Sequence, residues 1–397
     1  MNNIYEKIII ILIVILVIEL FIFILINFLK KKILWIITNE DEYPIFDKSS
    51  ISNFIRNKFD KKLGWDWKKN SKYIENYKNT KNLIEFGKDG ERLDKSNKLK
   101  PKFISLGDSF VYCRYTKSDK TWQSKLGQKN FPGLNFGVGN YGLDQILLKY
   151  ISKRNHKNIK YVFIGIVPET LSRCLCGWKH YHEFGNIFGF KPKFVIDSKR
   201  IVLKKNPLKN KLDLHNSKKI INRIKKKEFF YKYKFIKKKF IFPYSFSLIK
   251  NFSFNFQLLY YSICSLILSN KNQLYDFIQK INCVENDELF KLKKNQKLIN
   301  ALFEKFSIIS KKRKQKLIFL IFPQRNDILN KNDQYHNFFE NLKKKYDIID
   351  FTKYFIDENI NKLYLEPEYG SHLTNYGNKL VAKIILKKLK KNYDRLV

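Results

Sequence analysis

An α/β fold, a doubly wound and mostly parallel sheet with helices on both faces, is what this 397-residue sequence predicts. Three observations carry that expectation. Five short apolar runs, at 102–106, 134–138, 160–167, 316–322 and 346–351, have the length and composition of buried strands. They alternate with helical periodicity, clearest at Leu298, Leu302, Phe306 and Ile309, and at Leu380, Val381, Ile384 and Ile385. The chain is also long enough to bury one substantial core and carry appended segments.

The remaining elements follow in chain order. Ile8 to Leu29 is apolar except for Glu19 and Asn27. As a helix rising about 1.5 Å per residue, this run spans the ~30 Å of bilayer hydrocarbon. It is too long for a typical signal-peptide core and no Ala-x-Ala-like site follows, so residues 1–32 are expected to form a single uncleaved anchor. Lys30-Lys31-Lys32 follow the run and only Lys7 precedes it, which by the positive-inside count leaves the rest of the chain in the cytoplasm. Lysine is abundant everywhere, however, and the side stays open. Residues 33–99 form a polar lead-in containing Leu63-Gly64-Trp65.

The sheet domain is expected over 100–197 and 300–397, interrupted by an insertion at 198–299. That insertion is lysine-rich at Lys225-Lys226-Lys227 and Lys237-Lys238-Lys239, then aromatic and apolar from Phe240 to Leu268. Two readings suit it: a helical cap packed on the sheet domain, or a basic and aromatic membrane-surface segment.

The chemistry concentrates at three corners. The first apolar run ends in Gly107-Asp108-Ser109, a sharp turn that presents a serine hydroxyl at a strand end, where acyl transfer to oxygen requires a nucleophile. The second ends in Gly137-Val138-Gly139-Asn140-Tyr141-Gly142. His372, in Gly370-Ser371-His372-Leu373-Thr374, is the natural base, and Thr374 or Asn375 caps the helix that follows it. Strand ends at one sheet edge are where open α/β sheets keep their sites.

With these motifs in this order, the chain resembles the SGNH, or GDSL-type, hydrolases over residues 100–197 and 300–397. The resemblance implies a flavodoxin-like sheet, Ser109 as nucleophile, His372 as base, and the backbone N–H groups of Ser109 and Asn140 as oxyanion donors. Asn tolerates the left-handed backbone such a corner requires. Two positions depart from the family pattern. Its aspartate three residues before the histidine is Tyr369 here, and Glu368 is the carboxylate expected to orient His372 instead. Its asparagine after the third strand is Glu169, whose charge repels an oxyanion unless it is protonated or turned toward Arg173.

Asp108, Gly139, Glu169, Trp178 and His180 are the expected substrate-lining residues. His180 and His182 lack a third zinc ligand, so no metal is expected, and no motif implies a cofactor. Cys113, Cys174, Cys176, Cys264 and Cys283 are scattered and odd in number, which suits free thiols. The net charge of +42 suits nucleic acid or an anionic membrane, but the lysines are dispersed and no nucleic-acid module accompanies them, so no specific nucleic-acid partner is expected. The expected function is a membrane-anchored esterase cleaving an acyl or acetyl ester on a small molecule, glycan or lipid. An acyltransferase using the same serine, and a catalytically impaired binding protein, are the alternatives.

Overall fold

The computed structural model describes residues 2–94, 99–198 and 200–392. Its centre is a five-stranded sheet built from β1 (Phe103–Gly107), β2 (Gly133–Asn135), β3 (Tyr161–Ile166), β4 (Lys316–Ile321) and β5 (Ile348–Asp350). The strand order is 2-1-3-4-5 and every pairing is parallel. This is a doubly wound order with its switch point between β1 and β3, the crevice where such sheets place ligands.

Alternation along each strand divides the interior into two layers. Ile104, Leu106, Val162, Ile164, Ile166, Phe319 and Ile321 face one layer, whereas Phe103, Tyr161, Phe163, Ile318 and Leu320 face the other. All are buried, so the strands read as continuous apolar runs, as parallel strands covered on both faces must.

The helices used below are α1 (Asn2–Lys30), α2 (Tyr244–Lys250), α3 (Phe252–Ile267), α4 (Asn272–Phe290), α5 (Lys293–Lys312) and α6 (Asn375–Asn392). The two helices expected from periodicity are α5 and α6. α5 buries Leu298, Leu302 and Phe306 in the first layer, and α6 buries Val381, Ile384 and Ile385 in the second. The crossover helix α5 begins at Lys293, so the end of the 198–299 segment belongs to the sheet layer. Thr374 Oγ1 accepts the Gly377 N–H at 3.1 Å and starts α6 directly after the His372 segment.

α1 is long and apolar enough to cross a membrane, and by length and composition alone it also qualifies as a signal sequence. Its first half is exposed, whereas Ile22, Ile26 and Leu29 are buried against Leu258, Leu274, Phe277 and Ile278 of the insertion. All five cysteines are free.

Phe303 of α5 lies face to face on Phe319 of β4, with ring centroids 3.9 Å apart. Phe303→Ala leaves a ring-sized void there and should cost about 3–5 kcal/mol. Urea unfolding of the detergent-solubilised chain, followed by circular dichroism, measures it; an unchanged midpoint would contradict this packing.

Candidate active site

Ser109 opens a one-turn helix, Ser109–Tyr112, at the carboxyl end of β1. Asp108 makes the turn by accepting the Phe110 N–H on Oδ1 (2.8 Å) and the Val167 N–H, at the end of β3, on Oδ2 (3.2 Å). These bonds occupy both oxygens of a fully buried carboxylate, so Asp108 shapes the serine's corner from behind and does not line the cavity. Burial raises its pKa, against the pull of the neighbouring Arg173 charge. No described residue hydrogen-bonds the Ser109 hydroxyl.

The second corner packs closely onto this turn. A Cβ on Gly137 would sit 2.1 Å from the Tyr112 nitrogen, so only glycine permits the approach. Asn140 has φ +66°, the left-handed conformation anticipated from its residue type. The Gly139 carbonyl accepts Trp65 Nε1–H at 3.1 Å, which fixes the peptide plane carrying the Asn140 N–H. Lys179 Nζ donates to the Asn140 carbonyl at 3.1 Å and holds the following plane. Trp65 belongs to the lead-in, and nothing in its sequence context announces this contact.

Arg173 joins the corners. Its guanidinium is buried and reaches Glu169 Oε2 at 2.7 Å, Asp108 Oδ2 at 3.4 Å and the Tyr141 carbonyl at 3.5 Å, with Glu183 Oε1 3.5 Å from Nε. Glu183 also pairs with Lys179 at 2.8 Å. Burial works to raise the Glu183 pKa, but Lys179 and Arg173 pull it below the usual carboxylate range. Glu169 is thus turned onto Arg173, which compensates its charge at the cavity.

His372 stands between the rings of Phe110 and Tyr115, at centroid distances of 5.4 and 5.8 Å. Its Nδ1 lies 2.7 Å from the Tyr369 carbonyl oxygen. A carbonyl only accepts, so Nδ1 carries the proton and Nε2 keeps its lone pair. The orienting group is therefore the main chain of residue 369, not the Glu368 carboxylate expected above. Glu368 is exposed, and its backbone N–H donates to Asn272 Oδ1 at 3.2 Å. The turn requires Gly370, which has φ +71° and whose added Cβ would meet the imidazole Cε1 at 2.9 Å.

A cavity of about 260 Å³ brings Ser109, His372, Asn140 and Glu169 together. Besides Asp108, three expected lining residues lie elsewhere. Trp178 is buried in the core, stacked on Phe190 with Nε1 donating to Ile187 O at 2.8 Å. His180 is buried with Nε2 on Asp41 O at 2.7 Å and Nδ1 accepting from Gly185 N at 3.2 Å. Gly139 borders a neighbouring hollow. His180 lies in a one-turn helix, Lys179–Tyr181, and it is His182 and Glu183, just after it, that reach the cavity. The far wall comes from α4, whose Gln279 accepts from Ser371 Oγ (2.8 Å) and donates to Pro367 O (2.6 Å), bracing the histidine loop. Insertion residues carry no motif that signals this role.

Glu169, His182 and Glu183 place potential ligand atoms within 4.8 Å of one another. Both carboxylates are engaged by Arg173, so the group is a buried ion network.

No protein-family model matches the chain, and no curated protein matches its sequence. Among solved structures, it is similar to one described as "Structure of a putative lipolytic protein of G-D-S-L family from Desulfitobacterium hafniense DCB-2". The identity is 10%, the TM-score 0.33, and the match covers 72% of this chain and 98% of that one. The α/β assignment rests on the sheet itself.

Burial, reinforced by the Arg114 charge and opposed by the Tyr369 carbonyl, pushes the His372 pKa down to about 3. An ordinary histidine gains its proton near pH 6.5. Because the folded pKa lies below the unfolded one, His372 withdraws stability as pH falls below about 6.5, progressively until the folded pKa is reached. In ¹H–¹⁵N spectra, the His372 ring should keep its neutral, Nδ1–H signature from pH 8 to pH 5. A midpoint near 6.5 would show an open, solvated imidazole.

Proposed function

We propose that the chain is a membrane-anchored serine hydrolase acting on an acyl ester. The observation that supports this most directly is the His372 tautomer: with Nδ1–H on the Tyr369 carbonyl, the free Nε2 lone pair is available inside the cavity that holds the Ser109 hydroxyl. In this reading Ser109 Oγ attacks the ester carbonyl while Nε2 takes its proton. The N–H groups of Ser109 and Asn140 receive the oxyanion. Collapse returns the proton from Nε2 to the departing alkoxide and leaves an acyl-serine. Water, activated by the same nitrogen, then releases the acid; an acceptor alcohol in place of water makes the chain an acyltransferase.

A backbone carbonyl fixes the imidazole's orientation and tautomer, but it lacks the negative charge with which an aspartate stabilises imidazolium. The base is therefore weak and stays neutral across physiological pH, which favours slow turnover with little acid inhibition. The same missing carboxylate, together with Glu169 in the cavity, supports a second reading, a binding protein on this fold.

Fluorophosphonate labelling of the full-length chain distinguishes the two. Labelling should be abolished by Ser109→Ala and reduced at least tenfold by His372→Ala, while Glu368→Gln stays within twofold of the parent. Absence of labelling in folded parent protein would favour the binding reading, and a large loss in Glu368→Gln would restore that carboxylate as the orienter.

A further inference from the structure

The insertion helix α3 is built inside out. Phe252, Phe256, Tyr260, Ile263 and Ile267, spaced four, four, three and four apart, form an exposed apolar stripe, with Phe252 63% and Ile267 75% accessible. Asn255, Ser262 and Ser265 are buried on the opposite side with Leu258. A helix on a water-soluble surface does the reverse, as α5 does, burying Leu298, Leu302 and Phe306 and exposing lysines. Small and polar residues inside with large apolar residues outside is the pattern of a helix whose solvent is lipid. Phe242, Phe246 and Ile249, in and just before α2, extend the exposed apolar surface, which is too continuous for scattered surface residues.

What covers this surface is indicated by what it is attached to. Glu19, the one charge within the apolar run of α1, is buried and accepts the Tyr244 N–H (2.6 Å), the Ser245 N–H (2.9 Å) and the Ser245 hydroxyl. A carboxylate in the middle of a bilayer persists when protein groups satisfy it, and here α2 supplies them. Glu19 lies eleven residues before Lys30, so at 1.5 Å per residue α2 begins about 16 Å along the span from its lysine end. Before α2 the chain is tied just beyond that end, where the Phe240 N–H donates to the Ile37 carbonyl at 2.9 Å, and after α2 Asn251 Nδ2 donates to the Lys237 carbonyl of the same stretch at 2.6 Å. If α1 lies in lipid, α2 is held in lipid with it.

α3 also reaches the cavity. Its Phe254, with Leu34 and Trp35 just beyond the span and Ile278 of α4, supplies apolar lining to the cavity that holds Ser109 and His372. We propose that α2 and α3 are a re-entrant, lipid-seated element docked on α1 through Glu19, and that it opens the cavity to the bilayer so that the ester consumed is membrane-borne, its acyl chain entering from the lipid. The substrate class rests on the serine-hydrolase reading; the lipid seating does not.

Full-length protein reconstituted in phosphatidylcholine and phosphatidylglycerol vesicles tests both parts. A bimane placed by Phe256→Cys in a Cys264→Ser background should be quenched by nitroxides on the lipid acyl chains and be insensitive to aqueous iodide. Quenching by iodide alone, or shielding from both quenchers as a second copy of the chain would produce, overturns the seating. The variant Phe252→Ser, Phe256→Ser, Ile267→Ser should keep fluorophosphonate labelling and p-nitrophenyl acetate turnover within twofold. It should lose at least tenfold in hydrolysis of a pyrene-labelled long-chain ester embedded in the vesicles. Equal turnover of the embedded ester by variant and parent overturns the delivery role. A parent chain that is not labelled at Ser109 while its bimane sits in lipid defeats the hydrolase reading and the substrate class, and supports the seating.

Discussion

The Arg173 guanidinium is the contact on which the arrangement of the site depends. It is buried, and its partners come from every corner of the sheet edge: Asp108 beside the serine, the Tyr141 carbonyl in the second corner, Glu169 after β3, and Glu183 beyond it. A buried ion network of this kind contributes little net stability compared with an apolar core of the same volume, but removing one member strands the others at a cost of about 3–5 kcal/mol. Its effect is geometric. Arg173 holds the Glu169 carboxylate in an ion pair, and Asp108 serves the serine turn through its hydrogen bonds to backbone N–H groups.

A second tie runs between the two ends of the sheet domain. Asn378, buried in α6, accepts the Trp122 N–H at 3.2 Å and donates to the Thr374 carbonyl at 2.9 Å. It fastens the helix that follows the Ser109 turn to the segment carrying His372, across a sequence separation of 256 residues. The histidine's other support is the α4 brace through Gln279. His372 is thus positioned from both the sheet domain and the insertion, and this makes the insertion part of the candidate site and not an ornament on it. The same insertion, through α2 and α3, is what joins the cavity wall to α1.

Position 369 orients His372 through its main chain. The adjacent carboxylate, Glu368, is exposed. The main-chain carbonyl of Tyr369 takes up the orienting bond, because the tight Pro367–Tyr369 turn and the left-handed Gly370 direct it at Nδ1. A carbonyl fixes the ring without adding a negative charge, and burial with the Arg114 charge depresses the His372 pKa against the pull of that hydrogen bond.

The sequence by itself determined the sheet, because five apolar runs flanked by turn residues have few other ways to be buried, and it determined the serine turn, the left-handed Asn140 corner and the start of α6, because these are local choices of backbone. It also marked Ile8–Leu29 as a lipid-length helix. Only the tertiary structure decided which polar groups meet. Trp178 and His180 had the chemistry of a lining loop but turned into the core, while Trp65, Arg173 and Gln279, unremarked or secondary in sequence, hold the corners. Such pairings join residues tens to hundreds of positions apart, and nothing in local periodicity encodes them. The inverted polarity of α3 is similar: its composition is aromatic in any case, and only packing shows that its serines face inward and its rings outward.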